Sequence, residues 1–172
     1  TFDTLGLKKD VLDALSSLNF TEPTDVQKAI IPAVLAKKNI AFTSQTGSGK
    51  ILGFSLGFFS RLNPKYGVQM LVVVPTRELC LQVGTELKKF GDILNFKVGM
   101  LYGGHNIKGD FITLSRRLQV VVATPGRLIE LVESKAVHLS DIEMLVLDEA
   151  DKMLNLGFKE EKFKNLLGDI YP

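Results

Sequence analysis

The chain has 172 residues, which suits one domain with a sizeable buried core. Hydrophobic residues make up 45% of it and charged residues 23%, the ordinary balance of a soluble globular protein. The net charge of +2 indicates no overall attraction to nucleic acid or membrane, so an anionic partner must be held by a local patch. A single cysteine, Cys80, excludes an internal disulfide, and the longest apolar run, at 52–59, is too short to cross a bilayer.

No secretory signal opens the chain, which begins at Thr1 without a methionine and stops at Pro172 after a helical pattern. We therefore expect a piece of a longer intracellular protein with no membrane segment. Cytoplasm, nucleus and nucleolus are all compatible with this composition.

Short β-rich apolar runs alternate along the chain with amphipathic segments. The runs occupy 40–44, 70–74, 96–102, 118–123 and 144–148. Helices are predicted from Thr24 as cap, from Ile51, over 77–90 with Gly91 as the stop, and over 125–133 with Pro125 in the first turn. This alternation predicts an α/β fold, with a parallel β-sheet flanked by helices. Ligands of such folds bind beyond the carboxyl ends of the strands.

The stretch "SQTGSGKI" at 44–51 follows a predicted strand and precedes a predicted helix. Gly47 and Gly49 allow a tight turn whose N–H groups can surround an anion, and Lys50 adds a charge for the outer phosphates of a nucleotide. Two positions depart from the strict phosphate-loop motif: Ser44 replaces its first glycine, and Ile51 replaces its last hydroxyl residue. The alternative is a Gly/Ser-rich turn with a solvated lysine.

A second chemical signal, "DEAD" at 148–151, ends the apolar run that begins at Met144. Asp148 at a strand end can hold Mg²⁺ against phosphates, usually through water, and Glu149 can orient and deprotonate the attacking water. The alternative is an acidic helix N-terminus, where carboxylates favour the helix dipole. Phosphate loop and acids together predict a nucleoside-triphosphate hydrolase.

These residues resemble one family over nearly the whole chain, the DEAD-box RNA helicases. The resemblance is carried, in the family's order, by six strings: "NFTEPTDVQ" at 19–27, "SQTGSGK" at 44–50, "PTREL" at 75–79 followed by Gln82, Gly103-Gly104, "TPGR" at 124–127 and "DEAD" at 148–151. It implies a RecA-like P-loop domain over 1–172, the ATP-binding N-terminal helicase domain, with a Q-motif region at about 2–27.

For the nucleotide, the resemblance implies ATP and Mg²⁺ as cofactors. Gln27 would read the adenine edge, with Phe2 and Phe20 packing near the base and Thr24 beside them; ordinary core packing and helix capping are the alternatives. The Walker A loop would consist of Ser44, Gln45, Thr46, Gly47, Ser48, Gly49, Lys50 and Ile51. The catalytic residues would be Glu149, Asp148 and Lys50, with Asp151 coupling the motifs.

For RNA, the resemblance implies contacts to the backbone without base reading. The implied residues are Pro75, Thr76, Arg77, Gly103, Gly104, Thr124, Pro125, Gly126 and Arg127. For Arg77 and Arg127 the alternative is an ordinary solvated or intramolecular charge.

Several departures from the family bear on activity. Ser44 stands where the family usually has alanine, a change that we expect to be benign. Asn19 and Asp25 also differ from the family's usual residues, and Asp25 remains a favourable acid early in its helix. Ile51 stands where relatives use a threonine hydroxyl for Mg²⁺, so we expect nucleotide binding to survive, weakened, and hydrolysis to be markedly impaired. The second helicase domain, which supplies an arginine finger, is absent from these residues.

Three functions follow from this pattern. The first is the ATP- and RNA-binding N-terminal half of an ATP-dependent RNA helicase, inactive as an isolated domain. The second is a non-hydrolysing RNA-binding or scaffold protein with a degenerate Walker A loop, which Ile51 favours and the acids oppose. The third, a DNA helicase or unrelated nucleotide enzyme, would have to explain "PTREL", "TPGR" and "DEAD" together.

Overall fold

The computed structural model describes residues 1–36, 49–149 and 165. After a 3-10 helix at Phe2–Thr4, the helices and strands follow in chain order: α1 Lys9–Ser17, α2 Asp25–Leu35, α3 Lys50–Phe59, β1 Met70–Val73, α4 Arg77–Leu94, β2 Val98–Leu101, α5 Ile107–Ser115, β3 Val120–Ala123, α6 Pro125–Glu133 and β4 Met144–Leu147. The chain forms two compact units. The first consists of Thr1–Leu62 and Lys89–Asn95, and the second of Asn63–Lys88 and Phe96–Pro172.

In the first unit, helix α2 begins at a capping box. The Thr24 hydroxyl accepts a hydrogen bond from the Gln27 N–H, and Gln27 Oε1 accepts one from the Thr24 N–H at 2.9 Å. This confirms Thr24 as the predicted cap. Helix α1 ends at Ser17, and Asn19 just beyond it has a positive φ of 65°, which lets the Phe20 N–H reach back to the Leu15 carbonyl.

Helices α2 and α3 approach each other closely because α3 carries glycines on the shared face. A Cβ on Gly57 would lie 2.7 Å from Val34 Cβ, so no side chain fits there without movement. Phe90, from the last turns of α4, is buried between Phe20 and Phe59 with ring centroids 5.8 and 5.3 Å away. These contacts give the first unit an aromatic and aliphatic core of its own.

Within the described residues, the second unit contains a four-stranded sheet in which every pairing is parallel, in the order β2-β3-β1-β4. All residues of β1 and β3 are buried, because each of these strands has a neighbour on both sides and helices cover the faces. Apolar residues from each of the four strands pack with Leu128 and Leu131 of α6 in one core cluster. The predicted parallel α/β fold is confirmed, and it is consistent with a RecA-like domain.

Most predicted elements appear with shorter strands. The runs at 70–74, 96–102, 118–123 and 144–148 each contain a strand of four residues, and the helix over 125–133 has the predicted bounds. The predicted strand at 40–44 lies outside the described residues. No helix in the described part of the chain is both long and apolar enough to span a membrane.

The predicted stop of α4 at Gly91 is wrong. Helix α4 continues to Leu94, with the Gly91 carbonyl accepting a hydrogen bond from the Asn95 N–H at 2.8 Å. Gly91 is buried inside the helix, and Asn95 with φ 67° takes the left-handed position after it.

Candidate functional site

The predicted RNA and acidic motifs follow the four strands of the sheet. Residues 75–77 follow β1, 103–104 follow β2, 124–127 follow β3, and Asp148 with Glu149 follow β4. Because all pairings are parallel, the carboxyl ends of the strands meet at one edge. The strand order places the three RNA motifs on adjacent strands, with the acids beside the β1 motif.

The loop after β1 combines a capping residue with an exposed cation. Thr76 Oγ1 accepts a hydrogen bond from the Leu79 N–H at 3.3 Å, which satisfies a free donor at the start of α4. Pro75 precedes it and is half-buried. Arg77 is exposed, with its guanidinium carbon 5.1 Å from the centroid of the Tyr102 ring. The aromatic face therefore holds this arginine while leaving its donors accessible.

The loop after β2 carries the glycine pair. Gly103 and Gly104 are exposed, and Gly104 has a positive φ of 90°, which favours glycine. A Cβ on Gly103 would meet nothing within 4 Å, and one on Gly104 would reach only Arg77 Nη1 at 4.0 Å. The space over these residues is therefore open, and an extended ligand could approach the backbone closely.

The loop after β3 opens helix α6. Thr124 caps the helix through its carbonyl, which accepts from the Leu128 N–H at 3.1 Å, and Pro125 occupies the first turn. Gly126 is exposed, and a Cβ there would also meet nothing within 4 Å. The first turn of α6 thus presents little more than backbone to solvent.

Arg127 differs from the other predicted RNA residues because its side chain is only 7% exposed. Its Nη1 lies 2.5 Å from Asp110 Oδ2, and its Nη2 donates to the His105 carbonyl at 2.8 Å. Arg127 is therefore an intramolecular charge in this conformation, as the alternative to RNA binding had it. A direct contact of Arg127 with RNA stays a prediction.

Sequence reasoning missed Asp110, His105 and Tyr102. Asp110 is 3% exposed although its neighbours on α5, Phe111 and Ile112, are exposed. An acidic residue beside two apolar ones gives no clear helical face. The only local signal that Asp110 is buried was therefore the irregular order of acidic and apolar residues at 110–112. The partners of Asp110 come from other segments of the chain and have no local signature.

The acids follow β4 directly. The Asp148 N–H donates to the Val73 carbonyl at 3.0 Å, which continues the parallel ladder by one residue, and the Asp148 side chain is only 3% exposed. Glu149 has a positive φ of 52°, a conformation that is uncommon for residues other than glycine. Asp151 lies outside the described residues.

The adenine motif and the described end of the phosphate loop belong to the first unit. Ser44, Gln45, Thr46, Gly47 and Ser48 lie outside the described residues. Gly49 precedes helix α3 with φ 82°, and a Cβ there would stand 2.7 Å from Gln27 Nε2. That nitrogen donates to the Gly49 carbonyl at 3.4 Å. The Q-motif glutamine therefore touches the end of the predicted phosphate loop.

The remaining nucleotide residues are placed as follows. Lys50 and Ile51 form the first turn of α3 and are half-buried. Phe2 is 4% exposed, which suits the core-packing alternative, whereas Phe20 is half-buried against Phe90. Adenine contacts by Phe2, Phe20, Thr24 and Gln27 stay predictions.

The donor chemistry of Asp148 suits a magnesium ion, because this residue offers a buried carboxylate at a strand end. Within residues 1–36 and 49–149, no three His, Cys, Asp or Glu side chains gather into a metal site. Mg²⁺ commonly takes one or two carboxylates together with substrate phosphates and water.

Comparison with known proteins identifies similar chains. The family model described as DEAD/DEAH box helicase matches residues 24–171. DEAD-box ATP-dependent RNA helicase CshA of Geobacillus kaustophilus is 40% identical over 162 residues, covering 94% of this chain and 35% of the relative. RNA helicase CrhR of Synechocystis is 38% identical over 161 residues, covering 94% and 33%. This chain spans about a third of the length of these relatives.

Proposed function

Because the chain belongs to the DEAD/DEAH box helicase family, we propose that it is the ATP- and RNA-binding N-terminal half of an ATP-dependent RNA helicase. The observation that carries the proposal is the carboxyl edge of the sheet. Three loops with exposed backbone or an exposed arginine follow β1, β2 and β3, and a buried carboxylate follows β4. Relatives named as RNA helicases match almost the whole chain.

RNA is proposed to lie along the loops after β1, β2 and β3. Gly103, Gly104 and Gly126 leave open space over the backbone, and Arg77 holds an accessible guanidinium against Tyr102. Backbone N–H groups and arginines bind phosphates without reading bases, so binding would be independent of sequence. A second helicase domain of the parent chain is proposed to close over this surface. This closure would bend one RNA strand out of a duplex.

For the nucleotide, each residue has a separate proposed role. Lys50 supplies a charge for the outer phosphates at the start of α3, where helix N–H groups also favour an anion. Asp148 would hold Mg²⁺ through water, and Glu149 would orient the attacking water and accept its proton. Bound Mg²⁺ supplies positive charge that offsets the charge developing on the phosphates. Asp151 is proposed to couple these groups to the RNA motifs.

Ile51 provides the sharpest test of hydrolysis. Restoring the hydroxyl with Ile51→Thr in the full-length protein should raise RNA-stimulated ATP turnover by about 10²–10³, the usual contribution of one positioned polar group. Ile51→Val is the matched control, because it keeps the β-branch and adds no oxygen. Equal turnover in the two variants would refute impaired hydrolysis as the consequence of Ile51.

Ile51 also favours a second candidate, a non-hydrolysing RNA-binding or scaffold protein that uses nucleotide only as a ligand. Titration with a fluorescent adenine nucleotide, with and without Mg²⁺, distinguishes the two when combined with turnover of the full-length protein. Mg²⁺-dependent binding with measurable turnover supports the helicase. Metal-independent binding without turnover, even in Ile51→Thr, supports the scaffold. An intracellular location is proposed for either.

A further inference from the structure

A network built on a buried ion pair links the loop after β2 to helices α5 and α6. Asp110 of α5 accepts from Arg127 of α6 through Oδ2 at 2.5 Å, and its Oδ1 lies 3.0 Å from His105 Nε2. Arg127 Nη2 also donates to the His105 carbonyl at 2.8 Å. Three residues from three segments therefore form a closed set of contacts, and one of them, His105, directly follows the Gly103–Gly104 pair in the chain.

Both charges of this network are removed from water. The side chains of Arg127 and Asp110 are 7% and 4% exposed, so each depends on the other for compensation. Glu130 Oε2 stands 4.0 Å from Arg127 Nε and completes the acidic surroundings of the guanidinium. Two N–H groups of Arg127 are committed to a carboxylate and a carbonyl, and burial keeps its remaining donors, including Nε, which has no hydrogen-bond partner among the described residues, away from an incoming phosphate.

From this geometry we infer that Arg127 and Asp110 form a clamp that positions the 103–105 loop for RNA, and that Arg127 is a positioning residue, not a phosphate ligand. The inference rests on the proposed RNA binding at the carboxyl edge of the sheet. It assigns the RNA contacts of this region to the exposed glycine backbone and to Arg77.

The clamp reaches Arg77 through aromatic contacts. The His105 ring meets the Tyr102 ring edge-on, with the two centroids 4.9 Å apart. The guanidinium carbon of Arg77 lies 5.1 Å from the centroid of the same Tyr102 ring. Gly104, between Tyr102 and His105 in sequence, has φ 90°, and a Cβ there would lie 4.0 Å from Arg77 Nη1. Release of the His105 carbonyl therefore loosens both the glycine backbone and the support of the exposed cation.

Charge gives the inference a testable sign. Asp110→Asn removes a negative charge near the RNA surface, and it frees Arg127 from its ion pair. If Arg127 were a phosphate ligand, electrostatic attraction would leave RNA binding unchanged or tighter. If the pair is a clamp, the same substitution weakens RNA binding although the protein has become more positive.

The experiment uses the full-length protein, a labelled single-stranded RNA and a non-hydrolysable ATP analogue. We expect Asp110→Asn to weaken RNA binding about tenfold, the loss of roughly one well-placed contact. Affinity for the ATP analogue should stay within about twofold of the unaltered protein's. General unfolding would lower the affinities for RNA and for the analogue, whereas a displaced 103–105 loop lowers only the affinity for RNA. Steady-state kinetics should show a higher KM for RNA with kcat at saturating RNA retained.

Two further variants separate a clamp from a direct contact. Arg77→Gln should reduce the salt dependence of RNA binding by about 0.7 in log–log slope, as loss of one single-strand phosphate contact does. Arg127→Lys keeps the charge but loses the planar fork that joins Asp110 to the His105 carbonyl. We expect it to weaken RNA binding as much as Asp110→Asn, and the double variant to be no weaker than either.

The outcomes are distinguishable. Tighter or unchanged RNA binding by folded Asp110→Asn overturns the clamp while leaving the proposed function standing. Should that variant fail to fold, wild-type RNA affinity in Arg127→Lys overturns it equally. Absence of RNA binding by the unaltered full-length protein, with analogue bound, refutes the proposed RNA binding and the clamp together.

Discussion

Arg77 and Arg127 follow neighbouring strands and belong to similar short motifs, yet they have opposite environments. Arg77 is exposed over an aromatic ring, whereas Arg127 is buried against Asp110. Neither motif contains the partner that decides this difference, since Tyr102 and Asp110 come from other segments. At the scale of the residue, the motif predicts the type of charge, and packing decides whether that charge is available to a ligand.

Cys80 has no predicted role, and the structure explains its chemistry. It is fully buried in α4 with Sγ donating to the Val122 carbonyl at 3.3 Å. Burial raises the pKa of the thiol from 9.0 to about 11. We expect an alkylating reagent at neutral pH to modify Cys80 rapidly in urea and negligibly in the native protein. Rapid native labelling would show that this part of α4 opens readily.

The same pKa shift has a consequence for stability. Between pH 9 and 11 the unfolded chain releases the Cys80 proton while the folded protein retains it. The free energy of unfolding therefore falls as pH rises through this window. Denaturant titrations from pH 8 to 11 should show a smaller fall in Cys80→Ala, and an equal fall would contradict the assignment.

Among the elements, α4 shows how a small residue sets the distance between a helix and a strand. A Cβ on Gly84 would lie 2.2 Å from Met100 Cγ of β2, so even alanine requires Met100 to move.

The strands themselves were predictable from β-branched apolar runs. Their lengths were not, because the ladder ends where pairing partners end.

Gly84→Ala should therefore destabilise the protein by about 1–3 kcal/mol, the usual cost of overpacking. Gly109→Ala on α5 is the matched control, because its nearest new contact would be His105 Cδ2 at 3.9 Å. There we expect a gain of about 0.5–1 kcal/mol from helix propensity. Equal midpoints for the two variants in urea denaturation would show that Met100 adjusts without cost.

At the scale of the whole molecule, the parallel sheet collects motifs that are far apart in the chain. Residues 75–77 and 148–149 meet at one edge because β1 pairs with β4, although about seventy residues separate them. The sequence alone could therefore place these motifs at the carboxyl edge of the sheet. The phosphate loop at 44–48 and Asp151 lie outside the described residues, so their placement stays a prediction.

If the proposed function holds, these 172 residues alone should bind RNA weakly and show negligible ATP turnover. An arginine finger from a second domain contributes about 10³–10⁵ in related hydrolases, and the residues here resemble only the first domain. Turnover measured with and without RNA, beside the full-length protein, checks this. Appreciable RNA-stimulated hydrolysis by the shorter chain would contradict the proposal.

Local patterns were sufficient for the class of fold, the start of α2 at Thr24, the bounds of α6 and the family. Each depends on residues adjacent in sequence: a cap beside its helix, an apolar run, or a short motif. Tertiary packing alone decided that Gly91 lies inside a helix, that Phe2 is buried, and that Arg127 pairs with Asp110. Burial and pairing depend on residues distant in the chain, and no local pattern encodes which of them will meet.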